Sequence, residues 1–490
     1  MSASSLRLLS KTKQNARIVI IGAGSAGIAA GTRLLEQGFK NVLLLEAEDR
    51  IGGRIHTIPF ADNVVDLGGQ WCHGEKDNIV YETVKNLDLL EATEDHYETF
   101  KCVRSNKDVL PDEIADQLKT IAFKSIPDRQ TELLDFNGTL GDYCNQKFWK
   151  ELAKLPPIDL TIAKEFLEIF HKFEASVEAA DHLYEVSAKG HLDYWLCEGE
   201  LLLNWRDKGY KSFLRLLMKA RQDQQRDQPE DLGVLNGRVM LNRRVSQMNW
   251  SGEDEVIISC CNGEIITADH VICTVSLGVL KAEHKELFVP GLPLAKVRAI
   301  EGLKLGTVDK FFLEFEHPPL PSDWPAFNCL WLKEDLAELR ASELFWLESV
   351  FGFYPVSKQP RILQGWIIGP HARHMETLTE EKVLEGLLWL FRKFLPFEMP
   401  HPKRMLRTQW NANQSFRGSY TFRSTYTDEL HTGAWDLEAP LQDVGGRPRL
   451  QFAGESSHKH YYSTVHGAVE TGFREADRLN TYYRSRTAQL

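Results

Sequence analysis

Gly22, Gly24 and Gly27, followed by an acid at Glu46, have the spacing that holds a dinucleotide. An apolar run, Ile18 to Ile21, reads as a buried strand that runs straight into the first glycine. Ser25 to Gln37 then reads as a helix stopped by Gly38. A second apolar run, Val42 to Leu45, ends on Glu46, 19 positions beyond Gly27. Strand, glycine turn, helix, strand and acid, in that order, mark a Rossmann unit. Gly22 permits the tight turn, Gly24 lets backbone N–H groups approach a pyrophosphate, and Gly27 lets the helix pack close on the strand. The helix start at Ser25 offers the positive end of its dipole to the diphosphate. Glu46 is placed to accept from both hydroxyls of an adenosine ribose, where a 2′-phosphate would be repelled.

The residues beyond Glu46 suit a ligand longer than NAD. Arg50, Gly52, Gly53 and Arg54 form an RxGGR turn, and Asp66-Leu67-Gly68-Gly69-Gln70-Trp71 brings a second glycine pair. The two arginines could equally be surface cations around a flexible loop. Near the far end, Leu450 to Phe452 reads as a short buried strand leading to Gly454 and Glu455. After a polar loop, Val465-His466-Gly467-Ala468 opens a helix through Glu470, Phe473, Ala476 and Leu479. Lys310 stands at the start of a strand, GTVDKFFLEF, among apolar or turn-like neighbours. Facing inward it would be costly without a role; the alternative is a strand-end lysine pointing to solvent.

With these residues in view the chain resembles the flavin amine oxidases, and among them the polyamine oxidase branch (spermine oxidase and N-acetylpolyamine oxidase). The matching stretches are GAGSAG with LEAEDRIGGR, DLGGQWCHGE, TVSLGVLK, GTVDKFFLEF, RGSY and FAGESSHKHYYSTVHGAVETGFREADRL. They occur in family order from about residue 17 to residue 484. The resemblance implies non-covalent FAD. Gly22, Gly24, Ser25, Gly27, Glu46, Arg54 and the Val245 backbone would hold its ADP half. Gly68, Gly69, Gln70, Trp71, Gly454, Glu455, Thr464 and Val465 would lie along the flavin half.

The same resemblance implies roles for the reacting residues. Lys310 would be hydrogen-bonded through water to flavin N5, assisting imine hydrolysis or oxygen activation. His73 would contact the amine, where a neutral imidazole can accept a hydrogen bond or relay a proton; it could instead structure its turn. Trp71 would shape the substrate tunnel, and Tyr420 would supply an aromatic wall suited to an alkylamine. Thr464, next to Ser463 in the loop before the last helix, stands where a monoamine oxidase completes an aromatic cage, so a thread-like polyamine reaching past small hydroxyl residues fits better than an aryl amine. Trp366 reads as core or cage, with core favoured. Glu198 or Glu200 would anchor a distal ammonium, unless both are solvated loop residues.

The implied reaction is oxidation of a secondary amine of spermine or an N-acetylated polyamine. Only the free amine can expel hydride, which leaves an iminium that water hydrolyses to an aldehyde and a shorter amine while O2 becomes H2O2. Two alternatives stay open: a protein that binds FAD without oxidase activity, as a redox sensor or partner-binding module, and a flavin oxidase of another amine class.

Bulk properties agree. A chain of 490 residues can hold two or more domains, and 43% hydrophobic with 26% charged residues is ordinary for a soluble enzyme. A formal charge of −11 argues against nucleic acid and would attract a polycation, though solubility explains it as well. No apolar run is long enough to span a bilayer. Eight scattered cysteines without CxxC spacing suit reduced thiols and no metal site. Met1 to Ala16 lacks an apolar signal core and reads as a disordered leader. Ala488-Gln489-Leu490 only faintly echoes a peroxisomal tripeptide; cytoplasm fits better. Nothing bears on oligomeric state, and a monomer is the simplest expectation.

Organisation follows the periodicity. Helical spacing covers Ile79 to Leu90, Asp112 to Phe123, Thr139 to Leu152, Thr161 to Ala180 and Lys211 to Arg221, before a polar loop, Arg221 to Asp231. Val239 to Met248, Val256 to Cys260 and Ile265 to Val275 read as a strand meander with a hairpin at Asn262-Gly263. Longer strands are expected at Lys310 to Phe315, Leu344 to Phe351, Arg361 to Ile368 and Leu406 to Trp410, with a helix over Thr379 to Phe394. The expected fold is α/β. A discontinuous Rossmann-type FAD domain (17–78, 230–285, 440–484) would be joined to an α+β substrate domain (79–229, 286–439) with a mixed or antiparallel sheet flanked by helices. A leader (1–16) and a tail (485–490) would complete the chain.

Overall fold

The computed structural model describes residues 11–93, 99–126, 130–221, 230–252 and 254–487. Arg17–Ile21 lies inside a six-stranded sheet, parallel to Asn41–Leu45 on one side and to His270–Cys273 on the other. Val239–Met240 extends one edge and Pro448–Phe452 the other, both parallel, and antiparallel Leu441–Gln442 completes the sheet. Its strands are short apolar runs covered on both faces, as parallel sheets require. The start, the middle and the end of the chain therefore share one sheet.

Helix Ser25–Glu36 packs on this sheet closely enough that a Cβ on Gly27 would sit 2.1 Å from the Gly22 carbonyl. The last helix, Val465–Thr487, lies against the first at similar range: a Cβ on Gly472 would reach the Ala26 carbonyl at 2.2 Å. Glycine at both contacts is what lets two helices and a strand converge on one turn.

A smaller sheet holds Val245–Asn249, Val256–Cys260 and Ile265–Ala268 in antiparallel order, with Phe288–Val289 parallel to the first of them. Gly263, at φ +85°, makes the expected hairpin turn. Val239 to Met248 is not one strand. The chain leaves the large sheet after Met240 and enters the small one at Val245. Ile265 to Val275 divides similarly, at Asp269, whose carboxylate accepts from the Arg17 backbone N–H at 2.8 Å and from Lys11 Nζ at 3.0 Å. Those bonds pull the chain from one sheet to the other.

The third large layer is a six-stranded sheet ordered Arg404–Arg407, Val308–Glu314, Gln359–Ile368, Val350–Val356, Phe327–Leu330 and Lys101–Arg104. It is antiparallel except for the last pair. Helix Glu380–Phe394, capped by Thr379, buries Leu387, Leu390 and Phe391 against it. On the other face, helix Leu160–Glu178 packs Phe166 and Phe170 toward Trp366 and Ile368. All seven residues of Val308–Glu314 are buried, Lys310 included. Leu344 to Phe351 differs from expectation: Phe345–Ser349 is a 3-10 turn and the strand begins at Val350. Trp346 is the cause, since its indole fills the place of a side chain at Gly386 on the covering helix.

The leader is anchored where it is described. Lys11 and Lys13 bond Asp269 and Asn480, and Ala16 is buried. Residues 1–10, the centre of the polar stretch Arg221 to Asp231, and Ala488 to Leu490 lie outside the described residues. Among the described residues no helix is long and apolar enough to cross a membrane.

Candidate active site

The glycine turn forms a cradle whose open side faces away from protein. Gly24 has an ordinary φ of −76°. A Cβ there would meet nothing closer than the Gly53 Cα at 3.9 Å. Protein packing therefore does not demand glycine at this position. A side chain would occupy only the free space in front of the helix, which begins without a side-chain cap. Uncapped N–H groups beside an open cradle suit a diphosphate. Glu46 is buried and ends the second strand; its carboxylate accepts from Ala23 N at 2.6 Å and Glu48 N at 2.9 Å. Burial raises its pKa above the ordinary value against those two bonds. One lone pair on each oxygen is left for ribose hydroxyls. Val245 starts its strand two residues after Arg243, whose N–H donates to the Glu46 carbonyl.

A second joint ties the chain ends. Arg54 Nη1 donates to the Ser419 carbonyl at 2.6 Å and to Glu455 Oε1 at 2.9 Å. Glu455 also accepts from Thr421 Oγ1 at 2.9 Å and from Ser463 N at 2.9 Å. Arg54 and Glu455, expected from sequence to contact the cofactor, also hold the C-terminal loop. Ser463 sits at φ +68°, with its hydroxyl on the Thr421 carbonyl. Thr464 caps the last helix, accepting from Gly467 N at 3.0 Å and donating to the Tyr461 carbonyl at 2.7 Å. Its hydroxyl is a structural cap rather than a free contact for substrate. A Cβ on Gly69 would touch Val465 Cγ2 at 3.5 Å, and one on Gly68 would overlap the Arg54 carbonyl. The second glycine pair, Arg54 and the start of the last helix therefore meet at one place. Gly454, at φ +124°, faces the same opening, with no atom nearer its missing Cβ than the Thr274 carbonyl at 4.0 Å.

Lys310 points inward. Its ammonium donates to the Asp66 carbonyl at 3.0 Å, the Gly68 carbonyl at 2.9 Å and Gln70 Oε1 at 2.8 Å. Burial lowers its pKa below the usual lysine range, and the Asp66 carboxylate opposes that shift. Asp66 is itself pushed up by burial. Above the ammonium lie two tryptophans. Trp71 and Trp366 stack with centroids 6.0 Å apart and planes 16° from parallel, and Lys310 Nζ is 4.9 Å from the Trp366 ring centre. Trp366, expected to be core, is both buried and part of this wall.

His73 follows Trp71 at 6.3 Å between ring centres. Its Nδ1 donates to the Leu201 carbonyl at 2.8 Å, and burial lowers its pKa. The neutral ring therefore offers Nε2 as an acceptor. His73 retains substantial accessible surface, so the ring is open to an approaching molecule. Tyr420 is half-buried, its hydroxyl bonded to the Ser176 carbonyl on helix Leu160–Glu178, leaving its ring as a wall.

Glu198 and Glu200 are surface residues. Glu198 is 76% exposed and paired with Lys76 at 3.1 Å; Glu200 accepts from Leu202 N at 3.1 Å. Two different acids lie on helix Leu160–Glu178, whose Ser176 carbonyl holds Tyr420. Glu174 is 4% exposed and has no hydrogen-bonded partner among the described residues; burial and the neighbouring Glu178 push it up to about 8. Glu178 holds His191 Nε2 at 3.0 Å and acts electrostatically on Tyr194, Tyr420 and Tyr462. Sequence reasoning misses these two acids because they sit in a helix whose polar positions look solvent-facing. Only the length of the apolar stripe, Phe166, Phe170 and Phe173 turning toward Glu174, could have signalled their burial.

The flavin containing amine oxidoreductase model matches residues 25–480. The peroxisomal N(1)-acetyl-spermine/spermidine oxidase of Bos taurus is 29% identical, with 95% of each chain covered. The Homo sapiens protein of the same name is 28% identical over 96% of each. A probable polyamine oxidase 5 of Arabidopsis thaliana is 26% identical over 96% of this chain and 99% of its own. A glycine cradle built for a dinucleotide, a buried lysine beside it and a match over nearly the full length agree: the chain belongs to the flavin containing amine oxidoreductase family.

Proposed function

We propose that the protein is an FAD-dependent polyamine oxidase, acting on a secondary amine of spermine or an N-acetylated polyamine. The observation that carries the reading is Lys310, buried on three acceptors from the Asp66–Gln70 segment and set against the Trp71–Trp366 stack. The names of the relatives add the substrate class. Bound FAD would supply a two-electron acceptor for the amine α-carbon and return the electrons to O2.

The chain's own residues would do the rest. Gly22, Gly24, Ser25, Gly27 and Glu46 would hold the ADP half, with Gly68, Gly69, Gln70, Gly454 and the dipole at Val465 along the flavin. Arg54 and Glu455 would keep these two walls together. Trp71, Trp366 and Tyr420 would pack on methylenes and exclude water from the reacting carbon. His73 Nε2 would accept from the substrate N–H and so orient the reacting nitrogen. Lys310 would present a proton-exchanging amine where imine hydrolysis or oxygen reduction takes place. We assign the distal ammonium to Glu174 in place of Glu198 and Glu200, because a buried acid without a hydrogen-bonded partner gains most from ionising against a cation; Glu178, already paired with His191, adds its charge nearby. A cytoplasmic location is the simpler reading, and all eight cysteines are free.

Peroxide release from purified protein given spermine, spermidine, N-acetylspermine or benzylamine tests the assignment. Turnover confined to benzylamine, or none with any amine in a yellow protein, would overturn it. Lys310→Met should lower peroxide formation by about tenfold or more; undiminished turnover would remove Lys310 from the chemistry.

A further inference from the structure

Lys310 stands on one face of its strand, and Asp309, the residue before it, points to the other. Asp309 is wholly buried. On that far side it meets a second buried acid, Glu376, the last residue of helix Gly369–Glu376. Asp309 Oδ1 accepts from the Thr408 hydroxyl at 2.7 Å and from Trp410 N at 3.3 Å. Oδ2 accepts from no donor among the described residues, and the side chain lies within hydrogen-bonding reach of the Glu376 carboxyl. Glu376 uses one oxygen on Asn411 N at 2.8 Å and the other on Ala412 N at 2.7 Å. Two carboxyls in such contact need a proton between them, since ionised oxygens only accept. Glu376 already receives two N–H groups, so Asp309 is the donor.

The two acids hold a turn, 408–412, that reaches Lys310 at both ends of the residue. Thr408 N donates to the Lys310 carbonyl at 3.0 Å, and Thr408 Oγ1 accepts from Lys310 N at 2.9 Å. The main chain of the lysine is thus clamped by a hydroxyl whose own proton goes to Asp309. Trp410, also buried, lies over the second glycine pair: a Cβ on Gly68 would come 3.2 Å from its Cζ2. The Gly68 carbonyl is in turn an acceptor of the Lys310 ammonium.

We propose that Asp309 and Glu376 are positioning residues that share one proton, and that this pair, through Thr408 and Trp410, fixes where the Lys310 ammonium stands. The proposal rests on the assignment of Lys310 to the oxidase chemistry. Burial and the neighbouring Glu376 push the Asp309 carboxyl well above the usual carboxylate range, in keeping with a proton held there. The cations that act on the pair are held elsewhere. Arg373 is bound to Asp181 at 2.9 and 2.6 Å, and Arg407 to the Met375 and Leu378 carbonyls. Glu380, which acts on Arg407 from the covering helix, adds negative charge on that side. Loss of the shared proton would leave two buried charges in contact and loosen the turn they hold.

Two measurements test this, neither with amine present, so failure of the polyamine reading cannot mimic failure here. The first uses the apoprotein. Asparagine at 309 keeps an acceptor for Thr408 and Trp410 and offers an N–H to Glu376. A raised carboxyl pKa makes the folded state lose stability as pH climbs from the unfolded value toward the folded one. The urea midpoint of Asp309→Asn should therefore gain on the wild type as pH rises, and Asp309→Ala should lie below both. The second uses FAD-loaded protein, reduced with dithionite and mixed with oxygenated buffer. Thr408→Val should reoxidise about tenfold more slowly than the wild type. In a Lys310→Met background the same substitution should add nothing. Should Lys310→Met alone reoxidise at the wild-type rate, the role of Lys310 has failed and the proposal falls with it. Stability curves for Asp309→Asn and wild type that run parallel across pH overturn the shared proton. A Thr408→Val slowing that persists in full without Lys310 overturns the positioning role.

Discussion

Replacing Glu174 by Gln should stabilise the protein while weakening its hold on substrate. The carboxyl is 4% exposed, and its pKa rises from the ordinary 4.5 to about 8. A raised carboxyl pKa means the folded state binds the proton more tightly than the unfolded chain. Its contribution is therefore complete below the unfolded value and is lost as pH climbs toward the folded one. That interval spans roughly three and a half pH decades at ~1.4 kcal/mol each, a ceiling of about 5 kcal/mol. Glutamine has nearly the same shape and no charge to desolvate. Thermal or urea unfolding should therefore show the Glu174→Gln variant equal to the wild type in mild acid and pulling ahead by up to about 5 kcal/mol above pH 8. At the same time KM for spermine should rise about tenfold or more, and KM for benzylamine, which has no second ammonium, should hold. Parallel stability curves for the two proteins would refute the burial argument, whatever the kinetics show.

Other outcomes rest on the same geometry. Gly24→Ala should fold with nearly wild-type stability and lose flavin affinity, whereas Gly27→Ala, whose Cβ would lie 2.1 Å from a carbonyl, should cost about 1–3 kcal/mol in folding; unfolding with and without added FAD separates them. Flavin should leave with the supernatant on acid or heat precipitation, and yellow retained in the pellet would contradict non-covalent binding. For a polyamine substrate, kcat/KM should climb toward alkaline pH as substrate nitrogens lose protons while the His73 imidazole, held neutral by burial, stays constant. A profile that falls over the same range would point to an ammonium as the reacting species.

The nucleotide unit is legible because local signals agree there: an apolar run, glycines at fixed offsets, a helix and an acid all name one geometry. Lys310 can be read as well, since a charge among residues that are otherwise apolar stands out. Less visible is what depends on distant partners. Nothing in QGWIIG shows that Trp366 stacks on Trp71, nearly three hundred positions away. Arg54 and Glu455 read as cofactor contacts, and nothing local shows that they also bond each other across four hundred positions, together with Ser419, Thr421 and Ser463. Glu174 and Glu198 are both acids beside apolar neighbours, and only tertiary packing buries the first and exposes the second. Where one continuous strand is expected from Val239 to Met248, the chain changes sheet, because alternation reports a strand's faces and not which neighbour it pairs with.

The sheet that carries the dinucleotide turn is completed by Pro448–Phe452, and the helix starting at Val465 seals its first helix. A nascent chain can therefore pair its first strand with Asn41–Leu45 early, but the sheet and the cover of its first helix are completed only near the end of synthesis. The complete cofactor site accordingly forms only once the C-terminal segment is in place. A version ending before residue 440 should emerge colourless and prone to chaperone retention, even though it contains every glycine of the phosphate turn.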